Sequence, residues 1–219
     1  MALPTIAPYP LPTGDELPEN KAAWTLDPAR AVLLVHDMQR YFLSPYEPDR
    51  EPVSGVRRNI AALREACREA GAPVFYTAKP GDMTPHQRGL ERDFWGAGMK
   101  AVSEHTDIDP DLAPDGEDVL LTKWRYSAFA QTDLAERMAA LGRDQIVVTG
   151  VYAHIGCQLT AADAFMRDIQ PFLVADAVAD FSAEHHRSAL HYAAGRCASV
   201  LAADHALAAL RGTPVSPGA

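Results

Sequence analysis

Six short apolar runs, separated by loops or by stretches of helical period, constrain this chain more than any other feature. They are AVLLV (Ala31 to Val35), PVFYT (Pro73 to Thr77), DVLLT (Asp118 to Thr122), QIVVTGVY (Gln145 to Tyr152), PFLVADAV (Pro171 to Val178) and ASVLAA (Ala198 to Ala203). The runs are apolar nearly throughout, so both faces of each are expected to be covered, as in a parallel sheet. Between them lie segments of helical spacing: Val56 to Gly71, Thr132 to Gly142 with Thr132 as its cap, Gln158 to Asp168, and Ser182 to Arg196, starting at Ser182. The predicted fold is α/β: a single-domain parallel β-sheet flanked by helices on both faces, a Rossmann-like three-layer sandwich. A chain of 219 residues with 47% hydrophobic content can fill one such core. Residues 1–30 are Pro-rich and aperiodic, and are expected to lie as an extended arm on a domain at 31–210, with 211–219 as a tail.

The net charge of −9 and pI near 5.3 argue against a nucleic-acid or anionic-membrane partner, because both require clustered Lys and Arg. No apolar run reaches membrane-spanning length. Cys67, Cys157 and Cys197 are scattered and no secretory signal is evident, which fits a reduced, cytoplasmic protein. The G-x-S-x-G, P-loop and G-x-G-x-x-G patterns are absent, so serine-hydrolase, NTPase and dinucleotide chemistry lose their main support. His185, His186 and His191 share a helix without H-E-x-x-H spacing and are expected to be packed or solvated. No metal and no cofactor is expected. Trp24, Trp95 and Trp124 are expected in the core or in a pocket wall.

In an open parallel sheet the ligand lies beyond the carboxyl ends of the strands. Four such ends carry polar residues: His36-Asp37-Met38-Gln39, Lys79, Lys123-Trp124-Arg125-Tyr126, and Tyr152 to Cys157. Asp37 and Lys123 each follow an apolar run, where a lone charge is costly, so they are expected to face each other. On the residues alone, a structural ion pair explains them as well as a catalytic one.

The stretches LLVHDMQRYF, LLTKWRYSAF and GVYAHIGCQLTAADAFMRDIQPFLVADAVADFS together resemble the isochorismatase family. They are most similar to isochorismatases of siderophore pathways and to phenazine-pathway hydrolases of the 2-amino analogue. The wider superfamily includes amidohydrolases with an Asp-Lys-Cys triad. Counting back from Thr160 to Ala164, which match the family's T-A-x-D-A-like segment, puts Gly156 at the nucleophile position. Cys157, about 100° further round a helix, should point into packing. The resemblance therefore implies a catalytic set of Asp37, Lys123 and Gly156 with no side-chain nucleophile. It implies that Arg88 pairs with a substrate carboxylate, that Tyr152 and the Gly156 N–H contact the enolpyruvyl carboxylate, and that Phe42 and Trp95 form apolar walls. Gly156 is expected to leave room for a bulky substrate. Lys79 stands where the family suggests glutamine; with no partner identified, it should bind anions and favour a ring hydroxyl over a protonated amine.

The implied activity is hydrolysis of the vinyl ether of isochorismate to 2,3-dihydro-2,3-dihydroxybenzoate and pyruvate, with Asp37 as general acid. The alternative substrate is 2-amino-2-deoxyisochorismate, giving trans-2,3-dihydro-3-hydroxyanthranilate. A cysteine amidohydrolase and a non-catalytic binding module are the remaining alternatives. The implied partners are a small dicarboxylate substrate and further copies of the chain, in a homo-oligomer of dimer size or larger.

Overall fold

The computed structural model describes residues 3–213. The six apolar runs form β1 (Ala31–His36), β2 (Val74–Ala78), β3 (Val119–Thr122), β4 (Gln145–Val151), β5 (Gln170–Ala179) and β6 (Ser199–Leu201). Every neighbouring pair is parallel, in the order β3-β2-β1-β4-β5-β6. The helices, in chain order, are α1 (Arg40–Leu43), α2 (Val53–Glu69), α3 (Pro85–Arg88), α4 (Glu91–Trp95), α5 (Ser103–Thr106), α6 (Leu134–Ala140), α7 (Gln158–Phe165), α8 (Ala183–Arg196) and α9 (Ala203–Leu210).

Successive strand residues serve opposite cores, because side chains alternate across a pleated strand. Leu33 and Val35 of β1 pack with Ile60 and Leu63 of α2 and Ala206 of α9. Val32 and Leu34 belong to the other core, with Met138 of α6, Ala161 of α7 and Leu190 of α8. The N-terminal arm joins the first core through Ile6 and Tyr9. The Tyr9 hydroxyl accepts from the Asp180 N–H at 2.8 Å and lies 3.2 Å from His186 Nδ1.

Strand order reverses between β1 and β4, so a crevice opens at their carboxyl ends. His36 pairs with Gly150 across it. Gly150 has φ +105°, and a Cβ there would fall 2.1 Å from the His36 carbonyl oxygen, so only glycine permits this approach.

Two expectations change, and several helices are added. β3 is an edge strand: Leu120 is 55% exposed and only Leu121, which joins the second core, is buried, because only one face of this strand is covered. Thr132 does not cap α6 as the residue next to it, since Asp133 takes that place. The Thr132 hydroxyl instead accepts from Leu134 N–H at 3.3 Å from one position further out. The short helices of 85–106 and α9 lack the long period that marks a helix in sequence. The segment expected to start at Ser182 is α8, and the Ser182 hydroxyl caps it by accepting from His185 N–H at 3.2 Å. Residues 214–219 of the expected tail lie outside the described residues.

Candidate active site

A cavity opens at the β1/β4 crevice, where ligands of open parallel sheets lie. Its wall includes Asp37, Lys79 and Lys123 from the ends of β1, β2 and β3, and Tyr152 and Gly156 beyond β4. Phe42 of α1, Arg88 of α3 and Trp95 of α4 complete the set singled out from the sequence.

Asp37 has φ +52°, a left-handed conformation that Asp tolerates better than most residues. Its Oδ2 accepts from Lys123 Nζ at 2.7 Å and its Oδ1 from the Thr77 hydroxyl at 2.6 Å. Lys123 is placed by its N–H, which donates to the Ala78 carbonyl at 2.9 Å and carries the β2/β3 ladder one residue further. The pair is buried, with Asp37 5% and Lys123 1% exposed. Burial alone would raise the Asp37 carboxyl; the Lys123 ammonium beside it, with Lys79 further off, outweighs this and holds it below the usual range.

A model of the isochorismatase domain matches residues 31–205. The chain belongs to the isochorismatase family. It is 56% identical to the phenazine biosynthesis protein PhzD1 of Pseudomonas aeruginosa over 205 residues, covering 94% of this chain and 98% of that protein. It is 50% identical to the isochorismatase of Bacillus subtilis over 214 residues, covering 98% of this chain and 69% of that one. The fold is shared with a cysteine hydrolase from Pseudomonas syringae pv. phaseolicola, with TM-score 0.80 and 23% identity over 89% of this chain and 98% of that one.

Within this isochorismatase-family site, three positions differ from what sequence suggests: Lys79, Tyr152 and Gly156. Lys79 is not a free cation: its Nζ donates to Glu91 Oε2 at 2.6 Å, and Arg88 Nη1 donates to the same oxygen at 2.7 Å. The electrostatic reason for preferring a ring hydroxyl over an amine is thereby weakened, since Glu91 neutralises one of the two cations. Glu91 sits three residues after Arg88, the one sequence signal that could have marked it. Burial first, then Lys123, lowers Lys79 to about 8, although Glu91 opposes this. KM for a dicarboxylate is therefore expected to rise as pH passes upward through about 8, where Lys79 loses its proton. In Lys79→Gln that step should vanish, which steady-state kinetics across pH will check; persistence of the step would assign it to another group.

Tyr152 lines the cavity with its ring, but its hydroxyl proton is committed to the Phe42 carbonyl at 2.6 Å and is not available to a carboxylate. Residues Ala153–Cys157 form a π-turn before α7, so Gly156 stands inside a wide turn and not at the N-terminus of an α-helix. Cys157 is fully buried, its Sγ 3.9 Å from the Thr149 carbonyl, in the core shared with Ala161. Burial pushes its thiol well up, and it does not line the cavity.

The largest correction concerns Gly156. A Cβ at this position would lie 2.1 Å from His36 Cε1, so the space expected to admit a bulky substrate is already filled by an imidazole. Sequence inspection also missed Phe181, whose ring centroid lies 4.4 Å from that of Tyr152, and Leu3 of the arm, both in the cavity wall.

Proposed function

We propose that this chain is an isochorismatase that protonates and hydrates the enolpyruvyl vinyl ether of isochorismate, releasing pyruvate and 2,3-dihydro-2,3-dihydroxybenzoate, in siderophore or other secondary-metabolite biosynthesis. The observation that carries this is a buried Asp37–Lys123 pair facing a cavity whose nucleophile position is glycine. An enol ether is electron-rich at its terminal methylene. Asp37 as general acid protonates that carbon, water captures the oxocarbenium ion, and the hemiketal collapses to pyruvate and the ring alcohol. The same acid is held ionised in the free protein by Lys123. A bound dicarboxylate, with two negative charges and less water, raises its pKa and restores the proton. Arg88, held by Glu91 and by Gly96 at 3.1 Å, is the partner for one substrate carboxylate through its remaining N–H groups. Phe42, Trp95 and the Tyr152 ring supply apolar walls.

The 2-amino analogue is a second substrate reading, supported by the identity to PhzD1 and less opposed by charge than a free Lys79 would make it. A ring ammonium would meet one net positive charge across Lys79, Arg88 and Glu91, where two had been expected. Pyruvate release coupled to lactate dehydrogenase, measured on both substrates, tests the proposal. Turnover of neither would remove it. In deuterated water the pyruvate methyl group is expected to carry one solvent deuterium, read by mass spectrometry; unlabelled pyruvate would place the attack elsewhere on the ether.

A cytoplasmic homo-oligomer, of dimer size or larger, is part of the same proposal. The family resemblance supports it, as do three cysteines that are buried and unpaired. Among the described residues no helix is long and apolar enough to cross a membrane. Light scattering on the purified protein reads the subunit number.

A further inference from the structure

We propose that His36 is a specificity-determining residue of this site: its imidazole occupies the volume that any side chain at position 156 would need, so that the pair His36–Gly156, and not Gly156 alone, keeps the site free of a side-chain nucleophile. The Cβ that Gly156 lacks would lie 2.1 Å from Cε1, 2.7 Å from Nε2 and 3.1 Å from Nδ1 of His36. Carbon atoms in van der Waals contact stand roughly 3.5–4.0 Å apart, so the ring and a side chain at 156 exclude each other.

The ring has no route of retreat. Its Nδ1 lies 2.8 Å from the Val151 carbonyl oxygen and its Nε2 3.3 Å from that of Tyr126, and the residue is 0% exposed. Its backbone is pinned in the sheet centre, opposite Thr77 of β2 and Gly150 of β4. The Nδ1 contact ties the ends of β1 and β4, which lead to Asp37 and Gly156, while Nε2 lies against the loop after β3 that follows Lys123. Burial keeps the imidazole neutral by lowering it to about 4, so it fills space 3.7 Å from Asp37 Oδ2 without adding a cation there. The neutral ring has one proton, and the shorter contact assigns it to Nδ1.

A thiol at position 156 would stand on the wall shared with Asp37 and Lys123, where a cation favours the thiolate. His36 closes that possibility. The inference rests on reading the site as one that works with acid and water, but its test uses no turnover, so either can fail without the other.

The test compares Gly156→Cys, His36→Ala, the double variant and the unchanged chain by thermal melting and by iodoacetamide labelling at neutral pH, in which a thiolate displaces iodide and forms an S–C bond. The native cysteines provide a low background, being 0% (Cys67), 0% (Cys157) and 6% (Cys197) exposed. Gly156→Cys should melt well below the unchanged chain, and adding His36→Ala should recover part of that loss. The double variant should be labelled at position 156 roughly tenfold faster than Gly156→Cys, as thiol reactivity follows access and thiolate fraction. If Gly156→Cys does not fold, a folded, labelled double variant supports the proposal and an unfolded one overturns it. Equal labelling of the two, or a double variant that melts no higher than Gly156→Cys, also overturns it, because the two residues would then not share the volume.

Discussion

Asp37→Asn is expected to lower kcat on isochorismate by roughly 10²–10⁴-fold, the usual loss for a positioned general acid. KM should change little. The amide has nearly the same shape, and its oxygen can still accept from Lys123 Nζ, which stands 2.7 Å from Asp37 Oδ2. The fold and the cavity are therefore retained, while no acidic proton remains to be given to carbon. The melt should fall, because the buried Lys123 cation loses its anion, and a native circular dichroism spectrum below it would establish that the loss is chemical. A variant that kept most of its kcat would remove Asp37 as the acid and with it the protonation step, whatever the substrate.

Removing the other partner should have a different outcome, on stability as well as rate. Lys123→Met leaves a buried carboxylate with only the Thr77 hydroxyl, and truncating one member of a buried pair costs roughly 3–5 kcal/mol. For a chain of this length, Tm should fall by on the order of 10 °C. The pH dependence gives the sign. In the unchanged chain Lys123 holds Asp37 below its ordinary value, so the pair's contribution is present at neutral pH and is lost as pH falls through the folded pKa. Without Lys123, burial dominates and the folded pKa lies above the unfolded one. The variant is then destabilised by ionised Asp37 at neutral pH and relieved as that group protonates. The Tm difference between the two proteins should shrink toward acid pH; a constant difference would mean that Lys123 contributes by packing alone.

The sequence by itself determined the sheet and the place of the site. Runs apolar on both faces require a covered parallel sheet, and in such a sheet the polar residues just past the strands gather at one edge. Asp37 and Lys123 were legible as a pair for the same reason: two opposite charges beside buried strands have few alternatives to each other. The exclusion of Cys157 followed from the family resemblance, which puts Gly156 at the nucleophile position, together with helical spacing, and its burial in the core agrees with it. What only the tertiary structure decided depends on distance across segments without period. Glu91 reaches Lys79 from a short helix that no apolar pattern marks, so whether that lysine was free could not be read along the chain. His36 and Gly156 are far apart in sequence, yet they compete for one volume. Sequence spacing carries direction and period, but which atoms already fill a space is settled only when strands, turns and side chains close-pack together.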